Sequence, residues 1–331
     1  MLNLTRRGLL AATAALGLAA FGWSPATHAE SHQAAEKLHF LIPGGAGGGW
    51  DGTARGTGEA LTKAGMVGNA TFENMSGGGG GKAIAHLIET AGEQSGTLMV
   101  NSTPIVIRSL QNVFPQSFRD LTPIAGTIGD YAALVVRADS DIQSVEDLVA
   151  AYNEDPNSVG IAGGSVAGSM DHIVAALVMK NAGADATKVK YVPFDTGGPA
   201  MASLLGGETQ ALSTGFSEAV GMAEQGEVRI LCITAPERLP EFGDVPTCAE
   251  SGAPGTDFVN WRGFFAAPGL DQETADKYAK MLGDVQSTPE WEEVRSRNGW
   301  VNIYNPGSDF TAFLEKQEEE IGGLMRELGF L

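Results

Sequence analysis

The residues of this chain best suited to hold a ligand are glycines. Gly44-Gly45-Ala46-Gly47-Gly48-Gly49-Trp50-Asp51 directly follows the apolar run Leu38-His39-Phe40-Leu41-Ile42 and precedes a helix-compatible segment starting at Asp51. Strand, glycine turn and helix start in that order make an anion cradle. Backbone N–H groups converge on the ligand, and the helix dipole adds about half a positive charge. Glycine lets the ligand approach the backbone and permits turns with positive φ. Gly45, Gly48, Gly49, Trp50 and Asp51 are the candidate contacts here. Asp51 has three readings: a helix cap, a water-ordering group, or a partner for an ammonium or hydroxyl on the ligand. A second run, Ser76-Gly77-Gly78-Gly79-Gly80-Gly81, occupies the same point of the next β–α unit and adds Ser76 and Gly77; Thr103, just after the strand-like run 97–101, is a further candidate.

A third turn of this kind, Gly163-Gly164-Ser165-Val166-Ala167-Gly168-Ser169, follows the strand-like run 158–162. Here Gly164, Ser165, Gly168 and Ser169 are candidates, because hydroxyls with neighbouring N–H groups accept a carboxylate without a charged side chain. Ser169 is read as the cap of the following helix, and Ser165 as a donor with no capping role. Thr196-Gly197-Gly198-Pro199 makes a fourth turn after 189–193 and contributes Thr196, Gly197 and Gly198.

Competing chemistries are weaker. Gly47-x-Gly49-x-x-Gly52, with Glu73 ending the next strand, matches the dinucleotide fingerprint. An exported dinucleotide-dependent oxidoreductase is therefore the alternative reading. Against it, one register of a glycine-rich run matches easily, and Asp51 sets a carboxylate beside the pyrophosphate. Gly81-Lys82 fails the P-loop pattern twice, at Ser76 and Ala83, and Ser165 lacks the second glycine of a nucleophile elbow. His86 and His172 read as polar-face or capping residues. The five histidines are scattered, and neither His-Glu-x-x-His nor paired Cys-x-x-Cys occurs, so no metal and no cofactor is expected. No catalytic group is assigned.

These turns are positioned by alternating strands and helices, the mark of an α/β chain with mostly parallel sheets. Strand candidates are 38–42, 70–74, 97–101, 132–137, 158–162, 189–193, 210–214, 228–233 and 258–265; the C-terminal quarter reads as helices 271–286, 288–298 and 308–328. Helix starts are legible at Ser144-Val145-Glu146-Asp147, Gly168-Ser169-Met170-Asp171 and Gly198-Pro199. Two lobes satisfy the pattern if the chain leaves the first near Val136-Arg137-Ala138 and returns along 258–265. This gives lobe 1 as 30–137 plus 260–331, and lobe 2 as 138–259.

Thr5-Arg6-Arg7-Gly8-Leu9-Leu10, an apolar stretch to Trp23 and a small-residue site at Thr27-His28-Ala29 read as an export signal over 1–29, cleaved near Ala29. The arginine pair suggests the twin-arginine route. The chain is thus expected to be periplasmic. Losing Arg6 and Arg7 with no acid takes the net charge from −19 to about −21, which disfavours nucleic acid and anionic membranes as partners. Export permits a disulfide between Cys232 and Cys248, while Cys232, in a strand-like run, is equally compatible with a buried free thiol.

Several segments together resemble one family. They are Pro43-Gly44-Gly45 to Trp50-Asp51, Asn74-Met75-Ser76-Gly77-Gly78, Gly163 to Ser169 with His172, and Phe194-Asp195-Thr196-Gly197-Gly198-Pro199-Ala200 to Leu205-Gly206-Gly207-Glu208. Arg238-Leu239-Pro240, Asp244-Val245-Pro246-Thr247 and Glu250-Ser251-Gly252 complete the order. The chain is similar to the extracytoplasmic solute receptors of tripartite tricarboxylate transporters. That resemblance implies a two-lobe, Venus-flytrap fold of type II-like form. It also implies carboxylate binding through the first-lobe glycine turn and the second-lobe Gly/Ser turn, and delivery to membrane permease subunits. The extra glycines and the aromatic before Asp51 resemble the tricarboxylate branch, implying a citrate-like solute.

Overall fold

A computed structural model of the protein describes residues 34–331; the expected export signal lies outside the described residues. Within them the chain runs β1 (Ala35–Ile42), α1 (Gly49–Lys63), β2 (Val67–Asn74), α2 (Gly81–Glu89), β3 (Thr97–Ser102), α3 (Thr103–Leu110) and β4 (Thr122–Arg137). It continues with α4 (Val145–Glu154), β5 (Gly160–Gly163), α5 (Met170–Asn181), β6 (Lys190–Pro193), α6 (Gly197–Leu205), β7 (Ala211–Gly215), α7 (Phe216–Glu224) and β8 (Val228–Ile233). The last elements are β9 (Val259–Ala266), α8 (Gln272–Asp284), α9 (Pro289–Arg297), β10 (Val301–Pro306) and α10 (Gly307–Leu328).

The strands fall into two parts joined by β4. On one side β2, β1 and β3 pair in parallel, followed by antiparallel β9 and the first half of β4, with β10 also antiparallel to β4. On the other, β6, β5 and β7 pair in parallel, and β7 and β8 run antiparallel to the second half of β4. The expected parallel pairing thus holds on the two flanks, while every pair involving β4 or β9 is antiparallel; both parts are mixed. The change of partner falls inside β4. Tyr131 is the last residue opposite β9 and Ala132 the first opposite β7, a few residues upstream of the 137 boundary read from sequence. Thr234 holds the two connecting strands together: its Oγ1 accepts from Ala132 N at 2.9 Å and donates to Phe258 O at 2.6 Å.

Helix starts follow local chemistry. Ser144 Oγ accepts from Asp147 N at 3.0 Å to cap α4, and Thr288 Oγ1 accepts from Trp291 N at 3.2 Å to cap α9, with Pro289 at the first helical position. Two stretches escaped the sequence reading: β10 and the first half of β4. Thr122-Pro123-Ile124-Ala125-Gly126-Thr127-Ile128-Gly129 has the composition of a loop, but β9 and β10 flank it. Its glycines serve packing, since a Cβ on Gly126 would sit 3.0 Å from the Phe310 ring and one on Gly129 2.7 Å from Val301.

One apolar core lies beneath α1, α8 and α9 and a second beneath α6 and α7. A third runs across both parts and contains residues of α2, α3, α5 and α10. The C-terminal segment therefore reaches beyond the first part: Phe330 sits edge-on to the His172 ring at 4.7 Å, and Glu327 pairs with Lys180. Cys232 and Cys248 form a disulfide with 4.8 Å between their Cα atoms, tying β8 to the loop that follows it. Among the described residues no helix is long and apolar enough to cross a membrane.

Candidate functional site

The N-termini of five helices meet at one cavity between the two parts. Gly48 and Gly49 begin α1, Ser102 and Pro104 begin α3, Met170 and Asp171 begin α5, Thr196 and Gly197 begin α6, and Glu218 lies in the first turn of α7; all line it. The cavity measures about 70 Å³ and is also lined by Gly44, Gly45, Trp50, Gly164, Ser165, Asp195, Asn260 and Arg262. Each helix start directs unpaired N–H groups and a partial positive charge toward its own end.

The two sides are in contact around the cavity. A Cβ on Gly45 would lie 2.8 Å from Thr196 Cγ2, and one on Gly48 would lie 3.3 Å from Thr196 Cβ. Ser76 Oγ donates to Asp195 Oδ2 at 2.7 Å, and Gln111 Nε2 donates to Gly168 O at 2.9 Å. Trp50 closes one wall, its Nε1 donating to Ser102 Oγ at 2.9 Å.

Beneath the glycine turn lies a charged cluster. Arg262, buried, donates through Nη1 to Gly49 O at 2.5 Å and Thr53 Oγ1 at 2.6 Å, and pairs through Nη2 with fully buried Asp130. Asp130 also accepts from Ser217 Oγ at 2.7 Å. Glu218 accepts from Thr214 Oγ1 at 3.2 Å and Gly215 N at 3.3 Å, and its Oε1 abuts Gly197. Burial pushes the carboxyls of Asp130 and Glu218 above their ordinary range, Arg262 opposing the shift in both. Asp171 is pushed to about 8, first by burial and then by the nearby Glu218. His172, buried against Tyr191 and Phe330, accepts from Gly168 N at 3.0 Å, and burial lowers it to about 4. It is a neutral packing residue.

Of the residues singled out in sequence, Gly45, Gly48, Gly49, Trp50, Gly164, Ser165, Thr196 and Gly197 line the cavity. Ser76, Gly77 and Ser169 line a smaller recess that shares Trp50, Pro104 and Ser165 with it. Four others lie elsewhere. Asp51 turns back into the protein, where its carboxylate accepts from Gly47 N at 2.9 Å, Arg55 Nε at 2.8 Å and Asn74 Nδ2 at 3.0 Å. It braces the turn, and α1 begins before it, at Gly49. Thr103 is fully buried, Gly168 adopts φ +74° for the turn into α5, and Gly198 is exposed on α6.

The capping role expected of Ser169 falls to Ser165. Ser169 is the N-cap residue of α5 but makes no side-chain cap bond, whereas Ser165 Oγ accepts from Asp171 N at 3.1 Å and also meets Tyr191 Oη at 3.2 Å. The loop folds back so that its earlier hydroxyl reaches the helix. Sequence reasoning missed Asp171, Glu218, Asn260, Arg262 and Asp130. An acid in the first turn of a helix after a strand was the available signal for the first two.

The model of the tripartite tricarboxylate transporter family receptor matches residues 54–330. A protein from a Pseudomonas strain, named UPF0065 protein in tcbD-tcbE intergenic region, is 25% identical over 96% of this chain and 93% of its own length. Among solved structures, periplasmic binding protein BugD superposes with a TM-score of 0.80 at 19% identity, covering 89% of this chain and 98% of its own. MatC from Rhodopseudomonas palustris with bound malate superposes with a TM-score of 0.76 at 20% identity, covering 87% and 98%. These neighbours share the two-lobe architecture of periplasmic binding proteins. The family comprises substrate-binding receptors rather than enzymes, which removes support from the dinucleotide alternative. The chain belongs to the tripartite tricarboxylate transporter receptor family, a family of periplasmic solute-binding proteins.

Proposed function

We propose that this receptor is exported by the signal at 1–29, captures a small carboxylate in the cavity between its lobes and delivers it to a membrane permease. Lobe 1 is 30–137 with 260–331 and lobe 2 is 138–259, hinged at the two connections that Thr234 clamps. The observation that carries the reading is the convergence of five helix N-termini on one glycine-lined cavity. Such ends bind anions, and each charge-assisted bond from an amide is worth about 1.5–3 kcal/mol. A few bonds then suffice for micromolar affinity. The malate held by MatC points to the same solute class. Di- and tricarboxylates, citrate among them, are the first candidates.

A thermal-shift screen tests the reading. A ligand bound only by the native state adds about 2.7 kcal/mol at a hundredfold excess over Kd. Small carboxylates are expected to raise the melting temperature while neutral sugars leave it unchanged. A shift with a sugar alone would sink the anion-cradle argument.

A further inference from the structure

Cys232 and Cys248 are sealed inside the fold. They are 0% and 1% exposed, and both belong to the apolar core that runs across the two parts. Cys232 stands in β8 opposite Leu134 of β4. Backbone bonds hold Cys248 against the end of β8: its N donates to Ile233 O at 2.8 Å, and Ile233 N donates to Pro246 O at 3.0 Å. The cysteines are 16 positions apart, and the loop between them is braced by its own side chains. Arg238 Nη1 donates to Gly243 O at 2.8 Å, and Glu250 Oε2 accepts from Arg238 Nε and Thr247 N, both at 2.9 Å. These contacts set the two cysteines together independently of the bond and close the protein over them. The surface groove nearby in sequence is lined by Leu231, Pro246 and Ser251 but by neither cysteine.

Such burial restricts when the bond can be made. A protein disulfide forms when one cysteine thiolate attacks a sulfur of an oxidant disulfide, that of an oxidoreductase or of a small molecule such as cystine. The second cysteine then displaces the mixed disulfide. The oxidant leaves reduced, as two thiols that carry the protons of the two cysteines. Both displacements need a thiolate and open access to sulfur, whereas a thiol in apolar surroundings keeps its proton. The cytosol keeps thiols reduced, so the bond is made outside it, on a chain whose cysteines are still exposed. We infer that this disulfide closes before the second lobe packs around it. The chain therefore crosses the membrane unfolded, by the general secretory route and not by the twin-arginine route that Arg6-Arg7 suggests. In the unfolded chain so short a loop closes at little entropic cost. Once the lobe has packed, the burial that bars an oxidant also bars a reductant. The inference rests on the export proposed above and not on the solute, so its failure leaves carboxylate capture untouched.

Two measurements test this. In the first, the mature protein is reduced with dithiothreitol in urea, and half is refolded without oxidant. Glutathione disulfide is then added to both halves, and bond formation is followed by alkylation and mass spectrometry. The folded half is expected to oxidise at least a hundredfold more slowly than the half kept in urea. A smaller ratio would overturn the order of events. A reduced chain that does not refold supports it, because the bond is then a precondition of the fold. In the second, the full chain is expressed in bacteria that lack the twin-arginine translocase. Mature, oxidised protein is expected outside the cytoplasm of these cells. Precursor retained inside them would show that the chain crosses folded, against the inference.

Discussion

The two glycine runs of the first lobe are nearly identical in composition and use glycine for different reasons. In 44–49 only Gly47 has positive φ. The others are glycine because something stands close to where a Cβ would be: on Gly45 it would lie 2.8 Å from Thr196 Cγ2, and on Gly49 2.6 Å from Arg262 Nη2. In the second run Gly77, Gly78, Gly79 and Gly80 have φ of 138°, 63°, 64° and 98°, and a Cβ on Gly78 would meet nothing within 4 Å. The first run is built for close approach to the opposite lobe and the buried arginine; the second is built for its own backbone path. A residue type repeated in two turns therefore predicts two different phenotypes.

The largest effect should come from the arginine against which the first run packs. Arg262→Met removes the partner of a fully buried Asp130 and the donor to Gly49 O. Breaking a buried pair from one side costs about 3–5 kcal/mol. Urea denaturation should show a loss of that size. A loss below about 1 kcal/mol would mean that Asp130 finds another counter-charge and that the turn does not depend on the cluster.

The acids on the other side of the same cavity predict a pH dependence. Asp171, with a pKa of about 8 in the folded protein, keeps its proton where the unfolded chain, near 3.9, has lost it. The folded state binds more protons between these values, so this group's contribution makes stability fall as pH rises from about 4 to about 8. Glu218 is shifted in the same sense, whereas His172, lowered to about 4, destabilises in the opposite direction below about 6.5. Arg262, Tyr191 and the Ser165 hydroxyl complete the groups around Asp171. The difference between wild type and Asp171→Asn isolates the term. Parallel stability–pH curves for the two proteins would rule it out.

A crossed pair of substitutions separates the two runs directly. Gly78→Ala forces a left-handed backbone on an L-residue in open space and should cost about 1–2 kcal/mol of stability, with solute affinity nearly unchanged. If the proposed capture closes the lobes on the solute, Gly45→Ala should leave the solute-free protein almost as stable but lower affinity about tenfold, roughly 1.4 kcal/mol, because its methyl would stand 2.8 Å from Thr196 Cγ2 across the cleft. Thr196→Ser, which deletes Cγ2, should restore binding. If Gly45→Ala instead destabilises the protein and Thr196→Ser gives no rescue, the contact is part of a fixed core rather than of a closing cleft.

This contrast also marks what could be read from the chain. Glycine turns are local, and their order of strand, turn and helix placed Gly45, Gly48, Gly49, Trp50, Gly164, Ser165, Thr196 and Gly197 at the cavity. Arg262 and Asp130 are separated by 132 residues, each in a strand with nothing local to mark it; only the pairing of β9 with β4 brings them together. The first half of β4 was hidden for a related reason: its Pro123, Gly126 and Gly129 look like loop residues until Phe310 and Val301 are seen to need the space. Asp51 misled because a first-turn acid after a glycine turn points to a ligand as readily as to Gly47 N.

The second-lobe turn gives the smallest and most local test of the same distinction. Ser165 and Ser169 look interchangeable in sequence, yet only Ser165 reaches the start of α5, accepting from Asp171 N at 3.1 Å. Ser169, the N-cap by position, makes no side-chain cap bond and lines the smaller recess beside the cavity. A cap hydroxyl contributes about 1 kcal/mol. Ser165→Ala should therefore lower stability by about that amount and also change the solute affinity, since the same residue lines the cavity and its hydroxyl faces the Asp171 carboxyl. Ser169→Ala should change stability by no more than a few tenths of a kcal/mol, since no cap bond is lost. Thermal melts of the two solute-free variants decide the matter: a larger loss in Ser169→Ala would restore the conventional cap and leave Ser165 as a ligand donor alone.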